Sequence, residues 1–122
     1  MLLVLDSSIL MNLKPGMLNF DELSSEVGSL RIVVTKAIFE ELNNLAKGKG
    51  IKSKKARFAL DVLSSAKIEV IDGELGEGDV SLLNIARRRD VIVATLDREV
   101  ISGLKRQGKK VVTIRNERLA VV

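Results

Sequence analysis

Two kinds of hydrophobic pattern alternate along the chain. Continuous apolar runs rich in Leu, Val and Ile fall at 2–5, 30–35, 68–71, 91–95 and 111–114. Such runs predict strands buried on both faces, as in a parallel sheet. Between them, apolar residues recur three and four apart over 8–13, 20–27, 36–47, 53–67, 79–89 and 97–107, which predicts amphipathic helices. Pro15-Gly16 separates the first two helices and Gly48-Lys49-Gly50 the next two. Gly73, Gly76 and Gly78 mark a loop before the fifth helix, and Gly108 ends the last. The alternation predicts a single α/β domain over 1–122, three-layered, α/β/α, with a mainly parallel central sheet of about five strands. Residues 115–122 suit either an edge strand or a surface segment.

Four acids stand out against this pattern. Asp6 ends the first run and Asp97 follows the fourth. At about 100° per helical residue, Glu41 lies roughly 65° from the centre of the Ile38, Leu42 and Leu45 stripe, and Glu40 about 165° away. Glu41 is therefore expected at the border of the core and Glu40 in water. By the same arithmetic Asp79 precedes Leu82, Leu83 and Ala86 by one turn, and Asp97 precedes Val100, Ile101 and Leu104. Asp61 points away from its stripe and reads as an ordinary solvated acid.

Acids at core-edge positions are costly unless a cation compensates them. A divalent ion such as Mg²⁺, which takes carboxylate oxygens, meets that need. In open α/β sheets ligands bind beyond the carboxyl ends of the strands, at the switch point. Asp6 and Asp97 belong at that edge, and Glu41 and Asp79 come from helices that start there. The acids also have an ordinary reading. Asp79 and Asp97 suit helix N-termini, and Asp6 suits the cap of the short helix after it. Glu41, in mid-helix, gains nothing from capping. Asp72, at the end of the third strand, reads first as a turn residue.

Composition narrows the chemistry. A hydrophobic content of 46% with 30% charged residues excludes a disordered chain. No apolar run approaches the ~20 residues of a membrane span, and the opening apolar run is too short for a signal segment. A cytoplasmic location is expected. Without Cys or His there is no disulfide framework, zinc ribbon, thiol nucleophile or imidazole base. Carboxylates with a metal are the natural remaining means of activating water.

The net charge of +4 is unevenly distributed. Lys47, Lys49, Lys52, Lys54, Lys55 and Arg57 form one cluster, Arg87–Arg89 a second, and Lys105, Arg106, Lys109 and Lys110 a third. Basic residues around an acidic centre suit a polyanion held by its phosphates. With three Phe and no Tyr or Trp, the chain lacks the aromatic platforms on which single-strand readers stack bases. The acid-interleaved glycines at 73–78 do not form a nucleotide-phosphate cradle. A receiver-type phosphorylation domain shares the length and architecture, but it calls for an acidic pair after the first strand and a Lys ending the fifth. This chain has one acid there, and ends that strand in Thr113-Ile114-Arg115.

Four blocks, in order, resemble the PIN-domain family of metal-dependent ribonucleases over nearly the full length. They are Val4-Leu5-Asp6-Ser7-Ser8, Val33-Val34-Thr35 through Glu41-Leu42, Gly78-Asp79-Val80 through Ala86, and Val93 through Asp97-Arg98-Glu99. Ser8 and Leu96 stand where the family commonly has Asn. The resemblance implies a PIN-like fold and a Mg²⁺- or Mn²⁺-dependent endoribonuclease. Asp6, Glu41 and Asp97 would hold one or two ions, with Asp79 completing the cluster. Ser7, Ser8 and Thr95 are expected to orient the carboxylates, and the 47–57 cations with Arg98 to hold the RNA backbone. Small stand-alone members related to ribosomal-RNA processing factors look closest. VapC-type toxins are similar in length and blocks. A homodimer follows by analogy, with a ribonucleoprotein or antitoxin partner according to the branch. The alternative within the family is a catalytically inactive scaffold that binds RNA or protein.

Overall fold

A computed structural model of the chain describes residues 1–72 and 82–122. In chain order the elements are β1 (Leu2–Leu5), α1 (Ser7–Leu10), α2 (Phe20–Val27), β2 (Arg31–Thr35), α3 (Lys36–Ala46), α4 (Ile51–Ser65), β3 (Glu69–Ile71), α5 (Leu82–Ala86), β4 (Val91–Ala94), α6 (Arg98–Arg106), β5 (Val111–Arg115) and β6 (Arg118–Val121). The sheet order is β3-β2-β1-β4-β5-β6. β1 to β5 pair in parallel, and β6 runs antiparallel to β5.

Side chains alternate across each strand, so the sheet has two apolar faces. On one face Leu3, Leu5, Val34, Ile92, Ala94 and Val112 meet α1 to α4 through Ile9, Leu23, Leu42, Ala59 and Leu63. On the other, Val4, Val33, Val91, Val93 and Val111 meet α5 and α6 through Ile85, Ala86 and Leu104. Every residue of β4 is buried. Burial on both faces is what the continuous apolar runs encode, and the result is the expected α/β/α layering.

The sheet has six strands rather than five. Asn116 and Glu117, both at positive φ (51° and 58°), form a two-residue hairpin turn that closes the Arg115–Arg118 pair. Two consecutive positive φ values fit the right-handed twist of a hairpin. Asn tolerates this backbone but Glu seldom adopts it, so the sequence carries only half of the usual turn signal. Asn19 then fastens β6: its amide nitrogen donates to the Leu119 carbonyl and its amide oxygen accepts from the Leu119 N–H, both at 2.9 Å. Arg118 also pairs with Glu22 on α2.

The strand order reverses between β1 and β4. Chain from β1 winds toward β2 and β3 through the first helical layer, whereas chain from β4 winds toward β5 through α6 on the other. The carboxyl ends of β1 and β4 are therefore the switch point of a doubly wound sheet.

Candidate functional site

Parallel pairing fixes the register at this point. Leu5 lies opposite Ala94, so Asp6 lies beside Thr95, one residue beyond each strand. The ladder continues through Asp6 N–H to the Ala94 carbonyl at 2.9 Å and Thr95 N–H to the Val112 carbonyl at 3.0 Å. Thr95 is fully buried, while Asp6 and Ser8 are half-buried.

Asp6 initiates α1, yet its carboxylate makes no capping bond there. It turns across the sheet instead. Oδ2 accepts from Ser8 Oγ at 2.6 Å and from Thr95 Oγ1 at 2.9 Å. Each hydroxyl has one proton, so those two bonds use both, and the 3.3 Å approach of Ser8 Oγ to Thr95 Oγ1 is a side contact. The hydroxyl oxygens accept in turn, Ser8 Oγ from Leu96 N–H at 3.0 Å and Thr95 Oγ1 from Asp97 N–H at 3.1 Å. Two short relays thus run from the backbone amides after β4 to one carboxylate oxygen, and each link polarises the next. Among the described residues Asp6 Oδ1 accepts no hydrogen bond, and Asp6 has no Lys or Arg partner.

Asp97 follows Thr95 and initiates α6. Its Oδ1 accepts from Glu99 N–H at 3.0 Å and Val100 N–H at 3.4 Å, the ordinary use of an acid at a helix start. Oδ2 has no hydrogen-bond partner among the described residues. Capping thus occupies one oxygen and leaves the other. The burial expected of Asp97 is absent: the residue is exposed, because its apolar stripe begins one turn later, at Val100.

Glu41 is also exposed, like Glu40, and does not border the core. Only Leu42 of the α3 stripe is fully buried, and Ile38 and Leu45 are half-covered. α3 leans mainly on α4, so its buried face is narrower than the periodicity implies. Among the described residues no three acids come close enough to share an ion. Asp79 lies outside the described residues, as do the glycines at 73–78.

Of the three hydroxyl residues expected beside the carboxylates, Ser8 and Thr95 touch Asp6. The Ser7 side chain makes no hydrogen bond among the described residues. No sequence pattern marks Lys36. It follows the β2 end on the same edge and pairs with Asp72 at 3.5 Å. Its signal in the sequence is only its place directly after a strand.

The basic 47–57 cluster occupies the tip of the α3–α4 hairpin. Arg57 points back into the turn: Nη1 donates to the Ala46 carbonyl at 2.8 Å and the Gly48 carbonyl at 3.4 Å, where it caps the end of α3. Lys47, Lys49, Lys52, Lys54 and Lys55 are exposed and make no ion pair among the described residues. Arg98, beside Asp97, is likewise exposed and unpaired among them.

The donor set at the switch point is all oxygen: two carboxylates, each with one oxygen not engaged among the described residues. Mg²⁺ is commonly held by one or two carboxylates, with waters and substrate phosphates completing its shell. Asp6 and Asp97 supply oxygen donors of the kind such an ion takes.

Comparison with known proteins bears on the family and the fold. The sequence model of the PIN-like domain family matches residues 3–117. Among solved structures, the PIN domain endonuclease Utp24 is similar, with a TM-score of 0.64 and 14% identity over 97% of this chain and 90% of that one. At that identity the likeness is one of fold. No curated protein sequence matches the chain. The family match runs from β1 to the β5–β6 turn and takes in every element that builds the switch-point edge, so the chain belongs to the PIN-like domain family.

Proposed function

We propose that the chain is a metal-dependent endoribonuclease acting at the carboxyl ends of β1 and β4. The observation that carries the proposal is Asp6: a half-buried carboxylate held by two hydroxyls, with a free oxygen and no cationic side chain among the described residues. A carboxylate fixed this way serves a cation supplied from outside the chain. Asp6 and Asp97 are assigned as Mg²⁺ or Mn²⁺ ligands, and Glu41 and Asp79 as acids that complete the site around bound RNA. When bound, the ion would lower the pKa of a water and stabilise charge on the scissile phosphate.

The chain's own residues do the rest. Ser8 and Thr95 hold Asp6 in one rotamer, so its free oxygen has a fixed position. The Asp97 cap fixes its carboxylate against the start of α6. The lysines at the hairpin tip and Arg98 attract and hold the phosphate backbone. In this reading RNA is the substrate, whether the target is a ribosomal precursor or another cellular RNA.

The scaffold reading is favoured by one observation, the absence of a third acid near Asp6 and Asp97 among the described residues. Incubating labelled structured RNA with the protein in EDTA, Mg²⁺ or Mn²⁺ separates the two. The nuclease cuts only with metal and leaves 5′-phosphate and 3′-hydroxyl ends. Cutting that persists in EDTA, or binding without cutting in either metal, contradicts it.

A further inference from the structure

The second and third basic clusters lie far from the candidate site, and the fold joins them. Arg87 to Arg89 follow α5 and precede β4. Lys105 to Lys110 end α6 and precede β5. Because β4 and β5 are parallel neighbours, both segments meet at the amino ends of the strands. Gly108, at φ 72°, makes this possible. Lys109 N–H returns to the Leu104 carbonyl at 2.9 Å and Gly108 N–H to the Lys105 carbonyl at 3.0 Å, closing α6 in a Schellman turn. Lys109 Nζ then donates to the Arg87 carbonyl at 3.1 Å. The two clusters are one surface, roughly 16 Å along the strands from Asp6.

Its charge is not matched locally. Arg88 pairs with Asp90, and Arg31 with Glu69 farther along the same edge. Arg87, Arg89, Lys105, Arg106, Lys109 and Lys110 form no ion pair among the described residues. Two helix C-termini face this edge, each equivalent to about −0.5 charge. Together they offset roughly one of the six cations. Helix stabilisation therefore does not account for the surface.

We infer that the amino-terminal edge of the sheet is a second RNA-binding surface, at which these six side chains hold backbone phosphates remote from the Asp6 site. Phosphate binding needs charge and little else. Stable protein interfaces and membrane anchoring commonly add buried apolar side chains to charge, and neither basic run contains an apolar side chain. RNA is therefore favoured over an acidic protein or a lipid surface. The inference rests on the reading of RNA as the substrate, and it gives the protein a second anchor for long RNA.

The test is RNA binding in EDTA, read by anisotropy of a labelled single strand across a KCl series. The wild type is compared with Arg87→Gln/Arg89→Gln/Lys105→Gln/Arg106→Gln, which spares Lys109 and its bond to the Arg87 carbonyl. Losing four phosphate contacts lowers the slope of log K against log salt by about 3 and weakens binding at least about tenfold. A thermal melt checks that the variant is folded. An unchanged slope and affinity in the folded variant overturns the inference. So does a poly-glutamate probe that binds this surface as tightly as RNA, which would reassign it to an acidic protein. No cleavage is read, so the result does not depend on whether Asp6 supports catalysis.

Discussion

Replacing Thr95 with Val tests whether the hydroxyl relay holds the site together. The substitution keeps a β-branched side chain in a fully buried position and removes one oxygen. That oxygen donates to the Asp6 carboxylate at 2.9 Å and accepts from the Asp97 amide at 3.1 Å. A hydrogen bond to a charged group contributes roughly 1.5–3 kcal/mol, and a neutral one about 0.5–1.5 kcal/mol. Thr95→Val should therefore cost about 2–4 kcal/mol. Thr95→Ser keeps the hydroxyl and loses one buried methyl, for about 1 kcal/mol. Urea denaturation at constant m separates the two variants. Combining Thr95→Val with Asp6→Ala, which removes the same bond from the other side, should give a coupling of about 1 kcal/mol or more. The reasoning is refuted if Thr95→Val is no less stable than Thr95→Ser, or if its cost is independent of Asp6.

Two further expectations concern the periphery. Asn19→Ala removes both bonds to Leu119 and should destabilise the protein by about 1–3 kcal/mol, with amide exchange rising first in β6; unchanged β6 protection would contradict this. On the opposite edge, hydrogen bonds from Arg31 hold the Glu69 carboxyl below its ordinary 4.5, with desolvation opposing and the Arg31 charge adding to the shift. A carboxylate lowered in the folded state adds stability above its unfolded pKa, and this is lost as pH falls through the folded value. Glu69→Gln should therefore lower the urea midpoint slightly at neutral pH and leave it unchanged at the acid end, so that the acid limb flattens. An acid limb identical to wild type would count against that pairing in solution.

The layered fold is legible because β1, β2 and β4 are buried on both faces and carry no polar alternation to confuse with helix. Their continuous Val, Leu and Ile runs mark them directly. β6 is not legible in the sequence because its turn places Glu117 at positive φ, a backbone that Glu rarely signals. Asp6 was legible as an acid ending a strand, and Ser8 and Thr95 as hydroxyls flanking the same edge. Glu41 and Asp97 are exposed where periodicity predicts a core border, and the reason is physical. Periodicity gives the direction of a helix face but not how much of the domain that face meets. α3 rests chiefly on α4, and Asp97 stands before the buried part of its helix. The joining of the two basic runs is a property of strand order, which no local pattern contains.

The central claim is that Asp6 serves a metal-dependent cleavage site. The most direct measurement is single-turnover cleavage of one labelled RNA, in Mg²⁺ or Mn²⁺, by wild type and Asp6→Asn. The Asn oxygen can still accept from Ser8 and Thr95, so the fold and RNA binding should survive. A loss of at least about a hundredfold in the cleavage step, with binding and melting retained, is the predicted result. Cleavage by folded Asp6→Asn at close to the wild-type rate would contradict the account.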